Sequence, residues 1–286
     1  MANILDALIA IKNTDLLLPN GDKGNNIQLV GSGLENFIKD VFAQVIVGHG
    51  SVGKRKKLYN KAFSYAGNSN NPPDIILRDG DAIEVKKVDS LKASIQLNSS
   101  PPKSKLLASD TRINSKCRQI ALDEGWTEKD IFYAIGSADA NHTLKRLWFV
   151  YGDCFAANHE VYEKAAQRVT DAISESFEET ELVKTNELSG IPNIDPLNIT
   201  HLRVRGMWII KSPAVVFSDI VPDLNKNAHF RAYCLMLKSK YLSFPKESRS
   251  GFEHVLDDKM VMSNVEIQNP DNPAELLEAS LISYEV

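Results

Sequence analysis

Two short apolar segments joined by a polar turn constrain the fold of this chain more than any other feature. Residues 74–77 and 82–88 flank the turn 78–81, which is the pattern of a β-hairpin. Because side chains alternate along a strand, Glu84 and Lys86 point to one face, and the apolar residues beside them point to the other. The sequence therefore predicts a sheet that carries two charged residues side by side on one face.

The length of the turn decides where Asp74 lies relative to those two residues. A two-residue turn places Asp74 opposite Val85, whereas a three-residue loop over 78–80, ending in a left-handed Gly80, places it opposite Glu84. The sequence alone leaves both registers open. Only the second register brings both carboxylates and the lysine onto one face.

That second arrangement has a defined chemistry. Two carboxylates a few ångströms apart repel each other and are stabilised by a hard divalent cation such as Mg²⁺. Such a cation activates a bound water and polarises a phosphoryl oxygen, and Lys86 could orient the water. Glu35 would add a carboxylate if its helix packs behind the hairpin. The cluster indicates metal-dependent phosphodiester hydrolysis, although a strand bearing Glu and Lys is often only a solvated face.

The rest of the chain predicts a mixed α/β fold, with a central sheet flanked by helices in one domain, 1–286. Apolar residues at spacings of three and four predict a helix that starts near Ser32, with Glu35 in its first turn. Lys54–Lys57 is expected to be a solvated loop or a phosphate contact. We also expect strands at 130–136, 147–151, 201–210 and 214–217, helices at 3–12, 111–123 and 159–178, and loops at 13–26, 97–105 and 182–198.

Composition excludes several classes of protein. With 43% hydrophobic and 24% charged residues, the chain is an ordinary globular one, and it has no apolar run near the length of about 20 residues that a membrane helix needs. Its net charge of −4 argues against binding nucleic acid through overall charge. Three scattered cysteines and the lack of a signal-peptide pattern favour the reducing cytoplasm.

Seven collinear stretches carry a resemblance to a known family. They are Gly33–Asp40, Pro73–Ile75, Glu84–Lys87, Leu97–Lys103, Trp126–Asp130, Val150–Asp153 and Leu202–Trp208. The second and third stretches resemble the PD-(D/E)xK motif of nucleases. Together, the seven stretches are similar to the NgoPII-type family of type II restriction endonucleases.

The resemblance implies a restriction-endonuclease-like PD-(D/E)xK core over about 30–210, with no role assigned to 211–286. It implies a homodimer that cuts double-stranded DNA at a short palindrome, GGCC in the family, with Mg²⁺. By position, Asp74 and Glu84 would hold the metal, Lys86 would assist the water, and Glu35 would be a further acid of the site. A cognate DNA methyltransferase is expected in the same system, not as a stable partner.

Two segments offer candidates for contacts to DNA. The segment after the active strand supplies Asn98, Ser99, Ser100 and Lys103, which suit phosphates or base edges. Arg203 and Arg205 alternate along one predicted strand, and arginine binds guanine O6 and N7 bidentately. The alternatives are an ordinary proline-stiffened loop and a salt-bridged strand face.

The sequence lacks the complete motifs of two other classes of site, a nucleotide-hydrolysis loop and a histidine metal site. Residues 48–55 nearly match the phosphate-binding pattern GxxxxGK[ST], but Arg55 stands where the hydroxyl residue belongs, which argues against nucleotide hydrolysis. The six histidines show no metal-binding spacing. Two alternatives stay open, a structure-selective repair or junction nuclease and a non-catalytic DNA-binding protein.

Overall fold

The computed structural model describes residues 2–18, 26–45, 52–68, 71–90, 92–177, 188–222 and 227–286. Its helices are α1 Ile4–Lys12, α2 Asn26–Phe42, α3 Val52–Ala62, α4 Ser115–Glu124, α5 Gly152–Phe155, α6 His159–Ser176, α7 Pro213–Val216, α8 Lys238–Ser243 and α9 Lys246–Glu253. Its strands are β1 Phe63–Asn68, β2 Asn71–Leu77, β3 Ala82–Lys87, β4 Ile95–Asn98, β5 Lys105–Leu107, β6 Glu128–Ala138, β7 Leu144–Tyr151, β8 Ser189–Ile191, β9 Leu202–Val204, β10 Trp208–Ile210, β11 Arg231–Leu237, β12 Met260–Gln268 and β13 Leu276–Glu285.

The main sheet is mixed, as the sequence predicted. Its order is β1-β2-β3-β6-β7-β11-β13-β12, and β5 pairs with β6 beside this path. The β3–β6 and β7–β11 pairs are parallel and the other neighbours are antiparallel. A parallel pair needs a crossover connection, and the first crossover carries β4, β5 and α4 from one strand to the other.

Helices cover both faces of the part of the sheet that contains β2 and β3. Leu34 and Phe37 of α2 belong to the large apolar cluster that includes Ile75 and Ile83. On the other face, a second cluster joins Ile76 to α4 and β5 through residues such as Ala82, Leu106 and Cys117. Because side chains alternate, the second face is also the one that carries Asp74, Glu84 and Lys86.

The hairpin has the three-residue register. Ile75 lies opposite Ile83 and Ile76 opposite Ala82, and this register places Asp74 opposite Glu84. The loop closes with the Leu77 N–H donating to the Asp81 carbonyl at 2.9 Å. The expectation of a left-handed Gly80 was wrong, because the residue with positive φ is Asp79, at 55°. Aspartate tolerates this conformation because its short side chain forms local hydrogen bonds.

Several boundary predictions were wrong. Helix α2 begins at Asn26 rather than near Ser32, so Glu35 lies in the middle of the helix instead of its first turn. The basic run 54–57 lies in helix α3, where Arg55 is ion-paired with the buried Asp40. The 97–105 segment contains the end of β4 and the start of β5.

Two predictions for the second half were also wrong, and others lie outside the described residues. The predicted strand 214–217 is helix α7, which Pro213 begins and the Ser212 hydroxyl caps through the Ala214 N–H. The predicted strand 201–210 is two strands, β9 and β10, separated by 205–207. Residues 19–25 of the predicted loop 13–26, residues 182–187 of the predicted loop 182–198, and the first part of the near-match at 48–55 are outside the described residues.

Residues 211–286, which had no predicted role, complete the main sheet. Strand β11 pairs in parallel with β7, and β13 and β12 extend the sheet beyond it. The prediction of one domain over the whole chain stays a prediction. Among the described helices, none combines the length and the apolar character that crossing a membrane requires.

Gly152 lies where two backbone segments touch, at the start of α5. A Cβ atom built there would lie 2.2 Å from the carbonyl oxygen of Lys103 and 2.6 Å from that of Ser104. We expect Gly152→Ala to destabilise the fold by at least about 1–3 kcal/mol, because backbone must move to accept the methyl group. Thermal denaturation measures this effect.

The matched control is Gly251→Ala. Gly251 lies in α9, is exposed, and has no heavy atom within 4 Å of the built Cβ. Since alanine is the better helix former, this change should leave the melting temperature unchanged or raise it. Equal melting temperatures for the two variants would show that the close contact at Gly152 is not tight in solution.

Candidate active site

The charged face of the hairpin opens into a cavity of about 260 Å³. Four segments surround it: strands β2 and β3, the turn after β4, the loop before α4, and the segment from β9 to β10. Of the residues predicted as site residues, the wall contains Asp74, Glu84, Lys86, Asn98, Ser99, Ser100, Arg203 and Arg205. The fold thus brings together residues that are up to 131 positions apart in the sequence, from Asp74 to Arg205.

The three groups of the motif are held by short hydrogen bonds. The Val85 N–H donates to Oδ2 of Asp74 at 2.7 Å, across the hairpin. The Lys86 ammonium donates to Oε1 of Glu84 at 2.6 Å, and these two side chains are 21% and 12% exposed. The other oxygen of Glu84, Oε2, is buried and has no hydrogen-bond partner in the described part of the chain. One carboxylate oxygen is therefore left available for another ligand.

The electrostatics of this cluster favour an added cation. Burial, together with the neighbouring charge of Glu84, raises the pKa of Asp74 to about 8. Burial alone would lower the pKa of Lys86, but Glu84 and Asp74 outweigh this effect and raise it, so the ammonium stays charged. The carboxylates of Asp74 and Glu84 lie near one ammonium, that of Lys86, which is hydrogen-bonded to Glu84. The Asp74 carboxyl group therefore stays difficult to ionise until a further positive charge binds nearby.

The donor set fits a hard divalent cation. Carboxylate oxygens are the ligands that such cations prefer, and an unpartnered buried Oε2 is otherwise costly. Within the described ranges, no three or more His, Cys, Asp or Glu side chains form a metal-binding group. A cation held here by Asp74 and Glu84 alone would keep coordination positions for water and for a phosphate oxygen.

Glu35 does not line this cavity. It lies on α2, whose apolar face packs on the opposite side of β3, and it is ion-paired with Lys39 one turn later. Its charge still raises the pKa of Asp74, as the last of several causes. The expected further carboxylate is therefore near the cluster, but it is not part of the cavity wall.

The turn after β4 is positioned by a small second sheet. Strand β4 pairs with β10, with Asn98 opposite Trp208. Asn98 has a φ of 53°, a conformation that asparagine tolerates, and the Ser100 N–H closes the turn on the Leu97 carbonyl at 3.3 Å. The Ser100 hydroxyl oxygen is buried and unpartnered among the described residues. The turn thus presents polar groups to the cavity beside strand β3.

Arg203 and Arg205 reach the same cavity from the other side. Strand β9, which pairs with β8, ends at Val204, and β10 begins at Trp208. Both arginines are exposed and line the wall, although only Arg203 lies within a strand. The prediction of a single strand that carries both arginines was therefore wrong. Both side chains nevertheless line the same cavity.

Lys103 has a different environment from the one expected. It is 7% exposed, its ammonium is ion-paired with Asp110, and its N–H donates to the Tyr133 hydroxyl at 2.7 Å. It is absent from the cavity wall. Lys103 thus anchors the backbone after the turn, and its predicted contact with DNA stays a prediction.

Three polar residues of the cavity wall were missed from the sequence. Asn71 directly precedes the Pro72-Pro73-Asp74 sequence, and this proximity could have indicated it. Thr111 and Arg112 belong to the loop before α4 and carry no recognisable motif. Only the packing of α4 against the hairpin brings them to the site.

Comparisons with known proteins identify the family of the chain. The model of the NgoPII restriction endonuclease family matches residues 2–268. The chain is 37% identical, over 286 residues, to the type II restriction enzyme NgoPII of Neisseria gonorrhoeae, covering 99% of each chain. No solved structure matches. The chain belongs to the NgoPII restriction endonuclease family and is a type II restriction endonuclease. Enzymes of this class act on double-stranded DNA and generally use divalent metal ions.

Proposed function

We propose that the cavity is the active site, where the enzyme hydrolyses phosphodiester bonds of a short palindromic DNA site with Mg²⁺. The observation that carries this proposal is the convergence of Asp74, Glu84 and Lys86 on one face, with Oε2 of Glu84 unpartnered among the described residues. Asp74 and Glu84 would hold the Mg²⁺ ion, which supplies Lewis acidity and an acidified water when bound.

The residues of the chain have separate roles in this proposal. Lys86, fixed by Glu84, orients the attacking water and offsets negative charge that develops on the phosphate. The water oxygen bonds to phosphorus as one phosphorus–oxygen ester bond breaks. The water loses its proton to solvent, and the departing deoxyribose oxygen gains one, so atoms and charges balance. The Val85 N–H keeps Asp74 in register with Glu84.

The DNA contacts follow from the two walls of the cavity. The turn of Asn98, Ser99 and Ser100 would contact phosphates next to the reacting one, because short polar side chains and backbone amides suit phosphate oxygens. Arg203 and Arg205 would contact base edges, and guanines in a GGCC site offer the O6 and N7 acceptors that arginine binds. The GGCC sequence rests on the family resemblance alone.

Digestion of a plasmid of known sequence tests the function. We expect discrete fragments with Mg²⁺ and none with EDTA, and sequencing of the fragment ends would give the site and the cut position. A smear, or cutting confined to branched or nicked DNA in a matched panel, would favour the structure-selective nuclease. Protection without cutting would favour the non-catalytic DNA-binding protein.

We further propose that the enzyme acts as a homodimer, because a palindrome presents two equivalent phosphates and each chain has one such cavity among its described residues. Helix α6 offers a face for a second copy. It has no buried residue, and Val161, Ala165, Val169 and Ala172 form a stripe at helical spacing. Val161 and Val169 are 51% and 44% exposed.

Charges beside this stripe are complementary for an antiparallel pairing of two α6 helices. Lys164 and Arg168 precede the point between Val169 and Thr170, and Asp171 and Glu175 follow it. The pairs Lys164 with Glu175 and Arg168 with Asp171 are both symmetric about the point between Val169 and Thr170. A two-fold axis there would place each basic residue opposite an acidic residue of the second copy.

Charge reversal tests this interface. We expect Arg168→Glu to weaken dimerisation at least about tenfold, because it places like charges opposite each other, and the double variant Arg168→Glu with Asp171→Arg to restore it. Sedimentation equilibrium measures both dissociation constants. If Arg168→Glu alone dimerises as tightly as the unaltered protein, the interface lies elsewhere.

We also propose a cytoplasmic location and a cognate DNA methyltransferase encoded in the same system. The three cysteines of the chain are free and buried, as expected of a protein in a reducing compartment. An endonuclease with a short site requires protection of the host's own DNA. Host DNA that resists digestion, while unmethylated DNA of the same sequence is cut, would support the methyltransferase.

A further inference from the structure

The loop before α4 contains Arg112, which lines the cavity. Several hydrogen bonds and an ion pair hold this loop in place. The Asp110 carboxylate binds the Lys103 ammonium and accepts the Arg112 N–H at 2.8 Å. The Arg118 guanidinium donates to three carbonyl oxygens of the loop, those of residues 108, 110 and 113, at 3.2–3.4 Å. Asn71, at the start of β2, donates to the Arg112 carbonyl at 2.9 Å. The backbone at Arg112 is therefore fixed to the catalytic hairpin.

The side chain of Arg112 has no hydrogen-bond or ion-pair partner among the described residues, although its charge helps to lower the pKa of Asp110. It is half-buried and lines the cavity together with Asp74, Glu84 and Lys86. Its Nε is buried and lacks a hydrogen-bond partner, and the guanidinium forms no ion pair among the residues that the structure describes. A buried donor without an acceptor is destabilising, so such an arrangement persists where a ligand supplies the acceptor. The negative charge of Asp110 is engaged by Lys103 and by the Arg112 N–H.

A phosphate diester supplies what this guanidinium lacks. The fork of donors in arginine matches two phosphate oxygens, whereas the Lys86 ammonium is already hydrogen-bonded to Glu84. Negative charge on the non-bridging oxygens is stabilised best by a fixed donor in a site sheltered from water.

We propose that Arg112 is a catalytic residue that donates from its guanidinium to a non-bridging oxygen of the scissile phosphate and stabilises the transition state. This inference rests on the proposed function of the cavity. It assigns to the loop before α4 the charge stabilisation that Lys86, tied to Glu84, supplies only in part.

Single-turnover cleavage separates this role from simple DNA binding. With a plasmid of known sequence and Mg²⁺, we expect Arg112→Gln to lower the rate at saturating enzyme about 10²–10³-fold. The enzyme concentration that gives half of that rate should change by less than about threefold, because the contact acts in the transition state. Arg112→Lys keeps the positive charge but not the forked pair of donors, so its cleavage rate should lie between those of the unaltered enzyme and Arg112→Gln. The control is Lys116→Gln, an exposed charge one turn later on α4, which should cleave normally.

A sulfur substitution gives a readout that a structural role would not move. In a duplex carrying the mapped cleavage site, sulfur in place of the contacted non-bridging oxygen should slow the unaltered enzyme and have little further effect on Arg112→Gln. Equal sulfur effects in both proteins, for both stereoisomers, would overturn the proposal. Melting temperatures show whether Arg112→Gln is folded. If it is unfolded, the sulfur effect is compared between the unaltered enzyme and Arg112→Lys instead.

The outcomes for Arg112 and for the nuclease itself are distinct. If the unaltered protein cuts DNA and Arg112→Gln cuts it equally fast, Arg112 has no catalytic role and the proposed function stands. If the unaltered protein cuts no DNA with Mg²⁺, the proposed function fails and the assignment of Arg112 fails with it.

Discussion

Asp74→Asn is expected to lower the rate of DNA cleavage at least about 10³-fold, because it removes one of the two carboxylates that would hold the metal. The asparagine keeps the size of the side chain and an oxygen for the Val85 N–H, so the hairpin should fold as before. Single-turnover digestion of plasmid DNA with Mg²⁺ measures the effect. A variant that retains a tenth of the original rate would remove Asp74 from the metal site.

Asp79→Asn is the matched control for this variant. It makes the same chemical change on the same hairpin, at an exposed residue with a φ of 55° that asparagine also tolerates. Cleavage should therefore be unchanged. A large loss of activity here would mean that the turn itself contributes to the reaction, and the comparison with Asp74 would lose its meaning.

Metal binding also has a readout that is independent of cleavage. A cation that binds only the folded protein raises its stability, by about 2.7 kcal/mol at 100 times its dissociation constant. We expect Mg²⁺ to raise the melting temperature of the unaltered protein and of Asp79→Asn, but not that of Asp74→Asn. An equal rise in all three would place the stabilising ion elsewhere.

Lys240→Met is expected to destabilise the protein by about 3–5 kcal/mol, because it removes the cation of a buried ion network. Lys240, on α8, lies 2.6 Å from Asp81 and 2.6 Å from Asp130, and its side chain is 12% exposed. Asp81 directly precedes β3, and Tyr151 donates to it at 2.6 Å. The network therefore joins the C-terminal helices to the strand that carries Glu84.

The control for this variant lies two residues earlier. Lys238 pairs with Glu278 at 3.1 Å, but these side chains are 39% and 72% exposed. Because solvent screens such a pair, Lys238→Met should destabilise by less than about 1 kcal/mol. Chemical denaturation of the two variants gives both values, and similar losses would show that the buried network adds nothing beyond a surface pair.

The pH dependence of the same comparison has a defined sign. Burial alone would raise the pKa of Asp130, but hydrogen bonds and charge from Lys105 and Lys240 outweigh it and hold this pKa below its usual 3.8. A lowered pKa stabilises the fold above the unfolded value, and the effect is lost as the pH falls through the folded value. The difference between the unaltered protein and Lys240→Met should therefore shrink as the pH falls below about 4.

Local sequence patterns predicted the parts of this protein that depend on neighbouring residues. The alternation around Glu84 and Lys86 fixed which side chains share a face, and the collinear stretches indicated the family that the comparisons found. Element boundaries were less secure. Helix α7 replaced a predicted strand because the Ser212 cap and Pro213 outweighed a run of β-branched residues, and the break between β9 and β10 leaves no periodic signal.

The sequence by itself determined the motif of two carboxylates and a lysine, and the choice of residue types able to bind a metal and a phosphate. Only the tertiary structure decided that Glu35 and Lys103 stay out of the cavity wall, that Arg112 enters it, and that the last strands complete the sheet. The reason is that alternation and helical spacing act over a few residues. Which distant segments meet depends instead on how whole helices and strands pack, as when α4 covers the second apolar cluster and brings its leading loop to the hairpin.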